Sequence, residues 1–180
     1  LKNGEGTYVP EEDGTSGGAV FCRNSSPTLS DLIIEDNKAY LAGSLLFENS
    51  ELTLMNAVVR NNLNDSDVGG GMIGLFSDPL IQNVVFEDNY TGWGGAVYLE
   101  KTDGDFINVQ FTNNEGEIAG GIFCADGSNP RIINSTFSDN QALMGGSIVC
   151  LNNSNPVVIN SIMWNPDANE EVFFSPDFAA

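Results

Sequence analysis

Apolar and polar residues alternate with a period of two along this chain, but only in runs of three to six residues closed by glycine, proline or an Asx residue. Short runs of this kind predict β-strands, because successive strand side chains point to opposite faces. Helices are not expected where glycine pairs and prolines recur so often.

The runs also repeat. Six small-glycine pairs lead into apolar segments: Gly17-Gly18, Ala42-Gly43, Gly70-Gly71, Gly94-Gly95, Gly120-Gly121 and Gly145-Gly146, their second members separated by 25, 28, 24, 26 and 25 residues. A column of asparagines, Asn37, Asn62, Asn89, Asn114 and Asn140, follows at steps of 25, 27, 25 and 26. Six residues before it runs a second Asx column, Asp31, Asn56, Asn83, Asn108 and Asn134, continued by Asn160. Pro27, Leu52, Pro79, Gly104, Pro130 and Pro156 mark a recurrent corner.

A unit of about 25 residues with three short strands and Gly, Pro and Asx corners predicts an all-β fold, a right-handed parallel β-helix of about six three-strand coils. Stacking the coils pairs their backbone groups and piles like residues on like. Three inward columns are expected. Val20/Cys22, Leu45/Phe47, Ile73/Leu75, Val97/Leu99, Phe123/Ala125 and Ile148/Cys150 form the first; Leu29, Leu54, Ile81, Phe106, Ile132 and Val158 the second; Ile34, Val59, Phe86, Phe111, Phe137 and Met163 the third. Both asparagine columns are read as structural ladders, since Asn tolerates left-handed backbone and its amide both donates and accepts. The β-helix is expected over 17–166, with 1–16 as a flank or partial coil and 167–180 as a tail or cap.

Charge narrows the function. Twenty-five acidic against 6 basic side chains give 6 − 25 = −19 over 180 residues, with no histidine. Nucleic acid and anionic membranes are poor partners for such a chain. Histidine triads, His-ligated zinc and imidazole proton shuttles are unavailable to it. A 41% hydrophobic content suffices for a core, and no apolar run reaches the roughly 18 residues that span a bilayer, so a soluble protein without membrane insertion is expected. The chain opens at Leu1 without a basic, apolar leader, and a secretion signal is expected to have been removed or to lie outside this sequence. Cys22, Cys124 and Cys150 are too few and too widely spaced for a disulfide framework. They read as buried small apolar residues, with one bridge and one leftover thiol as the alternative.

Few motifs carry chemistry. Gly69-x-Gly71-x-x-Gly74 matches a dinucleotide-binding turn in letters, yet its counterparts in other coils lead into strands rather than helices. From Asn62 to Gly71 takes nine steps where three of the other four units take six, a three-residue insertion holding Asp65 and Asp67. Two carboxylates and nearby carbonyls suit calcium, while the plainer reading is a solvated acidic loop with no cofactor. Asp36, Asp88 and Asp139, with Glu35 and Glu87, recur at coil spacing, and a glycosidase needs two carboxyls about 5–9.5 Å apart. Repeated turn residues are nonetheless a structural requirement of the fold, whereas an active site should interrupt the repeat. Tyr90, Trp93 and Tyr98, with Tyr40 below them, are the candidate binding residues, because sugar faces stack on aromatic rings; packing around a corner is the competing account. Trp164 is expected in the closing coil. At the ends, the polar segment 1–16 looks a weak cap, whereas Val172, Phe173, Phe174 and Phe178 are suited to covering the last coil.

The glycine phrase Gly94-Gly95-Ala96-Val97, joined to Phe86-Glu87-Asp88-Asn89, Phe111 to Asn114 and Phe137 to Asn140, resembles the repeat of chlamydial polymorphic outer-membrane proteins. It is equally similar to the right-handed β-helix repeat proteins of environmental bacteria, in which Ser25-Ser26-Pro27-Thr28 and Ile162-Met163-Trp164-Asn165 also find counterparts. The likeness runs from about Gly17 to Pro166, and the second coil departs from it with Ala42-Gly43 and Val59. It implies an extracellular or surface protein, in some cases an adhesin. The expectation is therefore a non-catalytic module that binds a glycan or a surface protein and makes end-to-end contact with flanking domains or other copies. A carbohydrate-active hydrolase or lyase using Asp/Glu, and a structural spacer or assembly subunit, are the alternatives.

Overall fold

The computed structural model describes residues 1–10, 14–65 and 67–175. Its backbone winds as a solenoid of parallel strands in three sheets. The first holds seven in-register strands: Val20–Arg23, Leu45–Glu48, Met72–Leu75, Val97–Glu100, Ile122–Ala125, Ile148–Leu151 and Val172–Ser175. The second has ten, among them the long Thr53–Arg60 and Leu80–Glu87 and, in later coils, the pairs Asp105–Ile107 with Gln110–Thr112 and Arg131–Ile133 with Thr136–Ser138. The third is short: Lys38–Ala39, Leu63–Asn64, Tyr90–Trp93 and Glu115–Ile118.

The corners follow from backbone sterics. Asp31, Asn56, Asn83, Asn108, Asn134 and Asn160 all have φ between 49° and 56°, the left-handed region that Asx tolerates best among residues with a Cβ. They bend the second sheet and stand exposed. The other asparagine column does different work. Asn37, Asn62, Asn89, Asn114 and Asn140 are at most 1% exposed. In each, the backbone N–H and the side-chain Nδ2 both donate to the Oδ1 of the asparagine one coil later, at 2.9–3.1 Å for Asn62, Asn89 and Asn114. The file runs on to Asn165, which takes the donors of Asn140. There the carboxylate of Glu171 accepts from the Asn165 backbone N–H and Nδ2, replacing the oxygen of a further coil. At the opposite end the Gly4 N–H donates to Asn37 Oδ1. Every amide in the file thus points the same way, and both ends are satisfied.

The second and third inward columns stand as read. Ile34, Val59, Phe86, Phe111 and Phe137 are fully buried, with Phe86–Phe111 and Phe111–Phe137 stacked at ring-centroid distances of 5.4 and 4.4 Å. The first column needs two corrections. Met72 pairs with Leu45 and Val97, and Ile122 with Val97 and Ile148. Met72/Gly74 and Ile122/Cys124 therefore face inward, not Ile73/Leu75 or Phe123/Ala125. In register, Gly69-Gly70-Gly71 and Ala119-Gly120-Gly121 align with Gly94-Gly95-Ala96. The first residue of each triplet, Gly69, Gly94 and Ala119, has φ of 64°, 72° and 58°. A glycine run allows the repeat to be placed one residue late, and a one-residue slip exchanges the faces. Counted from Gly18, the corrected second positions Gly43, Gly70, Gly95, Gly120 and Gly146 follow at 25, 27, 25, 25 and 26, and from Asn62 to Gly70 is eight steps against six elsewhere. The insertion in the third coil is therefore two residues, not three.

The flanks extend the coil. Lys2 bridges to Glu35 in parallel, the Lys38 N–H donates to Gly4 O at 2.8 Å, and Thr7–Val9 pairs antiparallel with Gly14–Ser16. Val172–Ser175 adds a seventh strand to the first sheet, with Val172 opposite Ile148 and Phe174 opposite Cys150. Phe178 lies outside the described residues.

Candidate functional site

Both faces of the first sheet are apolar, which is unusual for a surface strand. The outward file contains Leu46, Ile73, Phe123 and Val149, each at most 2% exposed, with Phe21, Tyr98 and Phe173 beside them. They are covered by the residues that precede the glycines: Leu41 and Ala42, Val68, Trp93, and Ile118 with Ala119. This second file is itself held in register, since Val68 bridges to Trp93 and Ile118 to Met144. The left-handed residue after each of them reverses the chain so that it lies back over the sheet. The two files flank a groove parallel to the solenoid axis.

Two cavities open along it. One of about 200 Å³ is lined by Trp93, Tyr98, Phe123, Ala125, Asp126, Leu151 and Asn152. A neighbour of about 180 Å³ lies on the other side of Tyr98, against Leu46, Ile73 and Leu75. The Phe123 ring is the floor. Tyr98 stacks on it at 5.3 Å and Trp93 at 5.5 Å. On the rim, Asn152 Nδ2 donates to Asp126 Oδ1 at 2.8 Å. Burial, and then the negative charges of Glu100 and Asp126, push the Tyr98 phenol well above its ordinary 10.0. The folded protein thus holds a proton that the unfolded chain releases first. Stability should fall as pH rises above about 10, and Tyr98→Phe should flatten that limb in a denaturation series.

Trp93 and Tyr98 are thus brought together, but Tyr90 is not. It begins the strand that Trp93 ends, is 48% exposed, and lines a separate cavity of about 290 Å³ with Glu115, Glu117, Leu143 and Asp167. Tyr40 lines a cleft of about 670 Å³ beneath the N-terminal flank. Four charged side chains line it, Glu5, Asp36, Lys38 and Asp65, of which Lys38 pairs with Asp65 at 3.0 Å and Asp36 with Lys2 at 2.9 Å. Asp67 is exposed, and its carbonyl accepts the Trp93 N–H. Ser66, between the two aspartates, lies outside the described residues, among which no group of three or more metal-type side chains forms.

The recurring carboxylates occupy corners and ion-pair files. Asp36, Asp88 and Asp139 have φ of 53–56° and are exposed. Arg60 joins Glu35 at 2.8 Å and Glu87 at 3.4 Å across three coils. Hydrogen bonds from Arg60 and then Lys2 hold the Glu35 carboxyl below its ordinary range, the opposite of what a general acid requires.

A further ladder escaped the sequence reading. The backbone N–H of Ser25, Ser50, Ser77, Thr102 and Ser128 each donates to the hydroxyl of the next member, ending at Ser154, at 2.9–3.2 Å. Its steps of 25, 27, 25, 26 and 26 match those of the Asx column from Asp31 to Asn160, and that coincidence was the available signal. Phe123 was missed as a groove residue for the same reason that it was expected inside.

Comparison with known proteins gives the fold a family. The chain is 30% identical to the probable autotransporter YfaL of Escherichia coli (strain K12), with 59% of this chain and 10% of that protein covered. It is 31% identical to the metabotropic glutamate receptor-like protein R of Dictyostelium discoideum, with 58% and 7% covered. It therefore spans a tenth or less of the length of these relatives. No solved structure matches it. The family described as right-handed β-helix region matches residues 17–169, the same stretch in which the coils stack in register, and this chain belongs to the right-handed β-helix family.

Proposed function

We propose that this chain is a module of a secreted or surface-attached bacterial protein that binds a glycan in the outer groove and performs no chemistry itself. The observation that carries the reading is the convergence of Trp93 and Tyr98 on Phe123 beside the Asp126–Asn152 pair. A sugar ring offers a C–H face to aromatic carbon and hydroxyls to a carboxylate and an amide, so one groove meets both halves of its chemistry. Similarity to a probable autotransporter supports the surface location. The carboxylates that a hydrolase would need are spent on corners and ion pairs, which supports a non-catalytic role.

Screening the purified chain on a glycan array, followed by calorimetry on the strongest hit, tests this. Trp93→Ala should weaken binding tenfold or more, about 1.4 kcal/mol, with Trp93→Phe retaining part of it and the β-sheet circular dichroism unchanged. Absence of any glycan ligand, or affinity indifferent to Trp93, overturns the reading. Release of reducing or unsaturated sugar ends would instead favour the enzyme.

A second reading rests on the last coil, where Val157, Val158, Ile159, Ile162 and Trp164 are 41–67% exposed along a strand edge. Such an edge suits an assembly subunit stacked end to end. Concentration-dependent oligomers in sedimentation, without glycan binding, would favour it.

A further inference from the structure

Two of the three cysteines, 26 residues apart in sequence, meet in the core. Cys124 and Cys150 are direct partners on the neighbouring parallel strands Ile122–Ala125 and Ile148–Leu151, both inward, at 0% and 1% exposure. Strands in a sheet lie roughly 4.8 Å apart, so in-register Cβ atoms on one face stand near the span of a disulfide. The hydrogen bond with Cys150, and then burial, push the Cys124 thiol above its ordinary range. Cys22 sits in the same inward file but four coils below Cys124, with Phe47, Gly74 and Leu99 between them. It is out of reach of either.

Cys150 borders a cavity of about 120 Å³ that Asn153, Ser154, Phe174 and Ser175 also line, room enough for a molecule the size of water or peroxide. We propose that Cys124 and Cys150 form an oxidisable dithiol that closes to an inter-coil disulfide on reaction with a small peroxide. Peroxide enters from the Cys150 side. The Cys150 sulfur attacks one peroxide oxygen, the O–O bond breaks, and the proton released from the Cys150 thiol goes to the departing hydroxide to make water, leaving a sulfenic acid. The Cys124 sulfur then attacks the Cys150 sulfur, the S–O bond breaks, and the Cys124 proton leaves with the hydroxyl as a second water. Two thiols lose two electrons in total, one peroxide gains them, and two waters form.

The bond would staple the two strands that carry the groove floor. Phe123 and Ala125 adjoin Cys124, with Asp126 one residue further, and Leu151 adjoins Cys150, with Asn152 one residue further. The staple lies on the face opposite the groove, so it ties the rims together without occupying the site. Its formation does not depend on the glycan reading.

The test uses the whole chain, incubated folded with hydrogen peroxide, denatured, alkylated and weighed. The expected product is lighter by two hydrogen atoms before alkylation, carries one alkyl group, at Cys22, and yields a Cys124–Cys150 cross-linked peptide. Its unfolding midpoint should rise by roughly 5–10 °C, since the link closes a loop of one coil, and reduction should reverse the shift. Cys22→Ser should cross-link as the parent does, and Cys150→Ala should lose the mass change while still folding, as judged by circular dichroism. Three alkylated cysteines after oxidation, a cross-link involving Cys22, or oxidation of Cys150 to sulfinic acid without a bridge would each overturn the proposal.

Discussion

Replacing Asn114 with leucine is expected to destabilise the protein by about 3–5 kcal/mol, although the two side chains have nearly the same shape. Asn114 Oδ1 accepts from both the backbone and the side chain of Asn89, and its Nδ2 donates to Asn140 Oδ1 at 2.9 Å and to the Phe86 carbonyl at 3.0 Å. Leucine leaves the buried Asn89 N–H without its acceptor and strips one hydrogen bond each from Asn89 Nδ2, Asn140 Oδ1 and the Phe86 carbonyl, although Asn89 Nδ2 keeps the Val59 carbonyl and Asn140 Oδ1 keeps the backbone N–H of residue 114; an unsatisfied buried group costs about 1–3 kcal/mol. Because the amides of the file point one way, the loss falls on the coils above and below as well. Urea denaturation should show the drop, and hydrogen exchange should show lost protection at the backbone N–H of Asn89, whose acceptor has gone. Asn108 is the control. It lies one corner away with φ of 55°, exposed, its Nδ2 donating to Asn83 Oδ1 at 2.8 Å. Asn108→Gly keeps the left-handed backbone and should change stability by less than about 1 kcal/mol. Equal effects at the two positions would refute the distinction between a buried and an exposed ladder.

Phe111→Ala should cost a similar ~3–5 kcal/mol for a different reason. The ring is fully buried and stacked between Phe86 and Phe137, with Phe106 tilted against it at 6.2 Å. Removing it opens a cavity in the middle of a file whose backbones are locked by ladder hydrogen bonds and cannot collapse to fill it. Three aromatic contacts of about 0.5–1.5 kcal/mol each go with it. Phe111→Leu should recover roughly half. In a solenoid each coil leans only on its neighbours, so the alanine variant is expected to unfold in two steps with a reduced first m-value, read from paired fluorescence and circular-dichroism transitions in urea. A single transition with an unaltered midpoint would show that the phenylalanine file carries no special weight.

These two side chains were legible because they recur at the same interval. A residue type repeated every 25–27 positions in the same local phrase must meet the same surroundings in each coil, and a polar residue so repeated among apolar ones points to a hydrogen-bonded file. The serine–threonine file obeyed the same rule and was overlooked because hydroxyl residues are also common in loops. Tyr98 and Trp93 were recognised as aromatic, but nothing in their spacing distinguished them from Tyr90, which the fold sends to another cavity.

The chain's own pattern of residues thus settled the coil length, the stacking of like on like and the two asparagine columns, because these depend on periodicity alone. Only the folded coil decided which side of Met72–Leu75 and Ile122–Ala125 faces the core. Both sides of those strands are apolar, and alternation of period two has no contrast to report there. The meeting of Trp93 and Tyr98 over Phe123, and of Cys124 with Cys150, was decided the same way. Each is a contact between coils, fixed by the lateral register of backbone hydrogen bonds, and that register rests on glycine triplets whose alignment the sequence leaves ambiguous by one residue.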